Sequence, residues 1–223
     1  MKPFELLGQT HSPDGTVMKL TRRGDEYLIL ADDATLMSSR MHGSEEALAT
    51  FACERARFLE RPIVLIGGLG MGFTLRATLE LLSPNATIVV VELVPAVVEW
   101  NRGPLGPLAG QPLKDKRVRV EIEDVAATLR ASPGKFDAVL LDVDNGPAAF
   151  SNSDNTWLYD NGGIAAARRA LKAKGVMAVW AAQGDRKFEQ RLRDGGFEVE
   201  LQRVRGRPKK GGPRHDIFLA RKV

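Results

Sequence analysis

Residues 64–72 read Val64-Leu65-Ile66-Gly67-Gly68-Leu69-Gly70-Met71-Gly72, and residues 88–92 read Ile88-Val89-Val90-Val91-Glu92. A short apolar strand opens into a glycine loop, an apolar helical run follows, and a second strand ends on a carboxylate. This order is the part of an open α/β sheet that holds an adenosine-type cofactor. Gly68, Gly70 and Gly72 let the backbone approach a ligand closely, and Glu92 can accept hydrogen bonds from both hydroxyls of a ribose. The stretch narrows the chain to two cofactor classes, dinucleotides and S-adenosyl sulfonium compounds. The alternative is a tight strand-to-helix turn with no ligand.

Working outward, strands and helices alternate from Pro62 onward. Apolar runs predict strands at 63–67, 87–92, 117–122, 136–142 and 175–181. Helices are expected near 72–82, 95–102, 124–131, 155–173 and 185–194. Such alternation builds a parallel sheet covered on both faces. The end differs: 197–203 and 216–220 are strands joined only by a basic loop, too short for a crossover helix, and should form an antiparallel hairpin. The fold class is α/β, a Rossmann-like, mostly parallel sheet of class I methyltransferase type ending in that hairpin. Before it, Ser12-Pro13-Asp14-Gly15 and Ala31-Asp32-Asp33-Ala34 are turn signals around strand candidates 16–20 and 26–30. Residues 1–42 therefore read as a small antiparallel β cap and 43–223 as the nucleoside-binding domain. Ser44 is the expected N-cap of a helix to about Phe58, with Glu45 and Glu46 at its positive end.

The 223 residues are 43% hydrophobic and 27% charged, a composition that fits a water-soluble globular chain with a full core. No apolar run nears the roughly 20 residues that span a bilayer, and Met1 to Glu5 lacks a signal-peptide core. The single cysteine, Cys53, permits no internal disulfide, so the cytoplasm is the expected location. His11, His42 and His215 show no metal-ligand spacing, and no metal is expected. The formal charge is +4, but Arg203, Arg205, Arg207, Lys209, Lys210 and Arg214 fall within one segment that has no acid before Asp216. Taking those six from the 32 bases leaves 26 against 28 acids, a net of −2. The loop 203–215 reads as a solvated hairpin tip or as a contact for an anionic partner. No aromatic interleaves its charges, so nucleic-acid stacking has little support.

Two later strand ends choose between the cofactor classes. Glu123-Asp124-Val125 offers an acid for an adenine amino group, Asp124, followed by the Val125 N–H for a ring nitrogen. Leu141-Asp142-Val143-Asp144 falls in the crevice beside the first glycine loop. A nicotinamide site has little use for two carboxylates there, whereas a sulfonium site acting on an amine does. A primary amine is protonated near neutral pH and cannot attack until it loses that proton. A carboxylate can bind the cation, orient it and accept the proton. Asp142 and Asp144 share a face if the strand persists. The other reading has Asp142 capping a turn and Asp144-Asn145-Gly146-Pro147 forming one.

From about residue 16 to 182 the sequence resembles the spermidine synthases, the polyamine aminopropyltransferases. Leu65-Ile66-Gly67-Gly68 with Thr74-Leu75-Arg76 is similar to that family's glycine motif, and Val91-Glu92-Leu93 to its ribose-binding strand end. Glu123-Asp124-Val125 and Lys135 to Asp142 are similar to its adenine-side acid and its catalytic strand. Ser44 to Leu48 resembles a helix that offers a glutamate to the polyamine, and Leu158-Tyr159 an aromatic pair. The resemblance implies transfer of an aminopropyl group from decarboxylated S-adenosylmethionine to a small amine or polyamine. Asp142 and Asp144 would be catalytic, and Glu46 and Tyr159 would contact substrate. Three positions depart from the pattern. Met71 stands where the family has an aspartate for the sulfonium's amine, Met37 where it has a glutamine, and Asn145 where a second acid is expected. Methyl transfer from intact S-adenosylmethionine is the alternative reaction, and a non-catalytic nucleoside-binding protein with a basic loop the third reading. Edges of the N-terminal cap could pair two copies into a homodimer.

Overall fold

A computed structural model of the protein describes residues 3–143, 156–207 and 212–223. The chain opens with four antiparallel strands, β1 (Glu5–His11), β2 (Val17–Arg23), β3 (Glu26–Ala31) and β4 (Ala34–Ser38), in the order β1-β2-β3-β4. The inner two are the strand candidates of the sequence, and β1 and β4 are additional. Next comes α1 (Gly43–Ala52). Ser44 lies inside this helix rather than at its cap: His42 holds the cap position, and the Ser44 hydroxyl donates to Glu45 Oε2 at 2.6 Å instead of accepting a backbone N–H.

The alternating part contains β5 (Ile63–Gly67), α2 (Phe73–Leu81), β6 (Thr87–Glu92), α3 (Pro95–Arg102), β7 (Val118–Ile122), α4 (Val125–Ala131) and β8 (Phe136–Leu141). It continues with α5 (Thr156–Tyr159), α6 (Asn161–Ala170), β9 (Leu171–Ala181), α7 (Arg186–Asp194), β10 (Phe197–Arg205) and β11 (Arg214–Lys222). The single helix expected over 155–173 is two helices. Asp160 interrupts it by capping α6, its Oδ1 accepting from Gly163 N at 2.9 Å, and Leu171 already belongs to β9.

The large sheet runs β10-β11-β9-β8-β5-β6-β7. β5 to β9 are mutually parallel, and β11 pairs antiparallel with both β9 and β10. Side chains alternate between faces along each strand. Val64, Ile66, Ile88, Val90, Ala138 and Leu140 join one core with α1, α2 and α3. Leu65, Val89, Val91, Val139 and Leu141 join the other with α4, α6 and α7. Leu20 and Ile29 of the small sheet belong to the first core, which brings that sheet onto the same face as α1 and α2. Among the described residues no helix is long and apolar enough to cross a membrane.

β5 is the middle of the five parallel strands, with β6 on one side and β8 on the other, so the direction of winding reverses between β5 and β8. Ligands of open α/β sheets bind outside the strand ends at such a point. The helix that follows the glycine loop, α2, is fixed at its far end by Arg117. That guanidinium donates to the carbonyls of Leu79 and Leu82 at 3.0 Å and of Ser83 at 3.2 Å, and pairs with Asp115 at 2.8 Å. Arg117→Ala leaves these carbonyls unsatisfied and should cost about 1.5–3 kcal/mol in urea unfolding; an unchanged midpoint would show that α2 does not depend on this clamp.

Candidate functional site

The glycine loop is shaped by two close approaches. Gly68 has φ 87°, and its N–H donates to Val91 O at 2.8 Å. A Cβ at residue 68 would lie 2.3 Å from the Asp142 carbonyl oxygen, so no side chain fits where the ends of β5 and β8 converge. Gly70 has φ 51°, and a Cβ there would lie 2.6 Å from Met37 Cε. The thioether of β4 therefore rests on the loop from the small sheet. Gly72, the left-handed residue before α2, faces Asn101 and is not on the cavity wall.

A cavity of about 980 Å³ lies between the small sheet and these strand ends. Gly68, Gly70, Glu92, Asp124, Val125 and Asp142 all line it. Glu92 is 8% exposed, and its two oxygens accept from Leu69 N at 2.8 Å and Val94 N at 2.9 Å. The same carboxylate that ends β6 thus fixes the glycine loop. Asp124 caps α4, its Oδ1 accepting from Ala126 N at 2.8 Å. The Asp142 N–H donates to Gly67 O at 2.9 Å, extending the β5–β8 pairing by one residue. Its carboxylate Oδ2 accepts from the Thr74 hydroxyl at 2.6 Å.

Opposite Asp142 stands Glu45 of α1, which is 8% exposed and lines the cavity. Burial pushes the Asp142 carboxyl up to about 6, against the Thr74 hydrogen bond. Burial, with the Asp142 charge adding to it, pushes Glu45 up to about 8 against the bond from Ser44. Confinement thus favours the protonated form of both carboxyls, and the two titrate as a pair. A positive charge between the two groups would offset both the desolvation and the mutual repulsion.

Of the neighbouring glutamates, it is Glu45 that faces the cavity. Glu46 accepts from the Arg76 guanidinium and from His42 Nδ1, the latter at 2.9 Å, which ties α1 to α2. Tyr159 is 3% exposed, edge-on to Phe188 with centroids 5.5 Å apart, its hydroxyl 3.5 Å from Val143 O. Trp157 and Leu158 reach the wall in its place. Asp144 lies outside the described residues, as do Asn145, Gly146 and Pro147. Met71 is 1% exposed in the core and presents nothing to the cavity. Of the basic segment, Arg203 grips the buried Asp216 through two bonds of 2.8 and 3.2 Å, and Pro213 and His215 form part of the cavity wall. Residues 208–211 lie outside the described residues. Among the described residues no group of three or more His, Cys, Asp or Glu could hold a metal.

The residues that sequence reasoning passed over are Glu45, Thr74, Trp180 and His215. Glu45 had a signal: it shares the helical spacing of Leu48, Ala49 and Ala52, the buried face of α1. The two raised carboxyls have a measurable consequence. Both folded values exceed the ordinary 4.5 and 3.8, so the folded chain holds protons that the unfolded chain releases. The associated stability is complete below about pH 4 and is lost as pH rises through 6 and 8. Glu45→Gln should raise Tm by roughly 2–4 °C at pH 8, shrinking towards zero at pH 5; a pH-independent difference would contradict the raised Glu45 value.

The sequence matches the spermine/spermidine synthase domain over residues 41–191. Polyamine aminopropyltransferases of Mycobacterium tuberculosis (strains CDC 1551 and H37Rv) are 32% identical over 181 residues, 79% of this chain and 32% of each relative. The chain thus spans about a third of the length of the curated relatives it matches. In structure it is similar to a spermidine synthase from Thermotoga maritima, with a TM-score of 0.76 at 19% identity over 98% of this chain and 73% of that one. A spermidine synthase in complex with the transition-state analogue AdoDATO gives 0.73 at 19% identity, over 98% and 72%. These structures share the fold. The domain match runs from just before α1, which carries Glu45, past the ends of β5 to β9 and so through the cavity's central wall, and on that extent the chain belongs to the spermine/spermidine synthase domain family.

Proposed function

We propose that the chain is a transferase that moves the aminopropyl group of decarboxylated S-adenosylmethionine to an amine. The observation that carries this reading is the Glu45–Asp142 pair, two buried carboxyls on one cavity wall, beside the glycine turn at the reversal of the sheet. The donor is a substrate here, and the residues fit its nucleoside half. Gly68 and Gly70 leave the space that a side chain would fill. Glu92 would accept from the ribose hydroxyls, Asp124 from the adenine amino group, and the Val125 N–H would meet a ring nitrogen. Gly72 acts indirectly, by starting α2.

The acceptor enters as an ammonium ion and lies between Glu45 and Asp142. Asp142, oriented by Thr74, takes a proton from the nitrogen. The freed lone pair attacks the methylene next to sulfur, the C–S bond breaks, and its electrons return to sulfur as a neutral thioether. The positive charge passes from sulfur to the new secondary ammonium nitrogen and is spread over both in the transition state, so a water-poor cavity favours the step, and the remaining contribution is positioning. Asp144 would assist Asp142. Glu46 and Tyr159 act one step back, Glu46 by holding α1 against α2 and Tyr159 by holding Val143. The two domains, 1–42 and 43–223, would then divide the work, the cap closing the cavity through Met37 over the nucleoside site. The reading places the chain in polyamine biosynthesis within the cytoplasm.

One observation favours a second reaction. Met71, where the resemblance expects an acid for the donor's own ammonium group, is buried in the core. Intact S-adenosylmethionine carries a carboxylate beside that ammonium group, so its side chain is a zwitterion rather than a lone cation and depends less on an acid there. Product analysis separates the two: methylthioadenosine marks aminopropyl transfer, S-adenosylhomocysteine marks methyl transfer. With decarboxylated donor the expected product is methylthioadenosine, and its absence with every amine offered would refute the leading reading. Asp142→Asn should lower kcat by about 10²- to 10⁴-fold while donor binding in calorimetry persists. Gly68→Ala should abolish donor binding, because its Cβ meets the Asp142 carbonyl.

A further inference from the structure

Two buried polar atoms have no hydrogen-bond partner among the described residues although their side chains line the cavity: Trp180 Nε1 and His215 Nδ1. Their rings lie 4.8 Å apart, tilted by 34°. Sheet register fixes their place. Leu141 pairs with Val179, so Trp180 stands beside Asp142, one position beyond the paired segment. Ile217 of β11 flanks Trp180 on its other side. Across the sheet the order is therefore His215, Trp180, Asp142, Gly68, Glu92 and Asp124. The nucleoside residues occupy one end of this row and the Glu45–Asp142 pair its middle. Trp180 and His215 lie beyond the pair, on the side left for the acceptor.

The chemistry of the two atoms is restrictive. An indole N–H only donates, and an ammonium ion also only donates, so a second ammonium group there leaves the indole unpaired. Burial holds the His215 imidazole below its ordinary value, against the opposing charge of Asp216. The ring is then neutral around pH 7, with one N–H and one lone pair. Asp216 is occupied by Arg203. A hydroxyl offers the complement of both atoms: an oxygen that can accept from Trp180 Nε1, and an O–H that can donate to His215 Nδ1 when the proton of the ring is on Nε2. A hydrocarbon end satisfies neither.

We propose that Trp180 and His215 form a subsite for a neutral hydroxyl group, so that the preferred acceptor is an amino alcohol rather than a diamine or a plain alkylamine. This rests on the transfer reading above for its identification of the acceptor side. The geometry that carries it is the pairing of an unsatisfied donor and an unsatisfied ring nitrogen next to Asp142.

The test compares three amines of similar length, 4-aminobutan-1-ol, 1,4-diaminobutane and pentylamine. Each is titrated calorimetrically into the full chain with methylthioadenosine present, and each is offered as acceptor with decarboxylated donor. The amino alcohol should bind at least about tenfold more tightly than either competitor, because a site built for hydrogen bonds rejects analogues that lack them. Trp180→Phe and, separately, His215→Leu should each remove about tenfold of that preference while changing pentylamine affinity less than about twofold. If Trp180→Phe does not fold, His215→Leu carries the same comparison. Equal or tighter binding of the diamine, or an amino-alcohol preference untouched by the folded variants, overturns the subsite. Failure of the transfer reading is separate: amines bind, with or without preference, and no thioether product forms from any of them.

Discussion

The site depends on how closely β5 and β8 run at their carboxyl ends. Gly67 O still accepts from Asp142 N at 2.9 Å, and the next residue on β5 must be a glycine because the Asp142 carbonyl occupies the Cβ position. This approach does two things. It bares the backbone of the loop towards the cavity, and it seats Asp142 where Thr74 of α2 can reach it. Glu45, brought by α1 onto the same core face as α2, then meets a carboxyl that is already desolvated. The raised values of both groups follow from that confinement.

Much of the central sheet was legible because parallel strands buried on both faces read as continuous apolar runs. Thr87–Glu92 and Pro95–Arg102 fall where the sequence places them, the second helped by a proline at a first-turn position. The outer strands of the small sheet were not legible. Apart from the buried Ser38, β1 and β4 carry only exposed and half-buried residues, so they lack the alternation that marks a buried face. The break at Asp160 was hidden between the apolar Trp157-Leu158-Tyr159 and the alanine-rich run from Ile164 to Ala167. At the site, the strand-end acids could be read from position alone. The choice of Glu45 over Glu46 required the helix face, and the meeting of Trp180 with His215 required the antiparallel register between β9 and β11, which residue types do not encode.

Family membership and departure from the family's pattern now have a physical relation. The strand ends that the resemblance assigns to a nucleoside line the cavity through Gly68, Gly70, Glu92 and Asp124. The two positions where the resemblance expects polar groups carry methionines, Met37 packed on Gly70 and Met71 in the core. Thioethers fill space and polarise readily but hold no charge. The charge in the middle of the cavity is thereby concentrated in Glu45 and Asp142, and the neutral end of the cavity is left to Trp180 and His215.

The confinement of Glu45 and Asp142 predicts that an incoming ammonium ion displaces a proton from the pair. Calorimetric titration of an amine in two buffers of different ionisation enthalpy measures that proton directly. At pH 7 the parent chain should release on the order of one proton on binding, and Glu45→Gln should release much less. Binding without proton release in the parent chain, or the same release from both, would contradict the account.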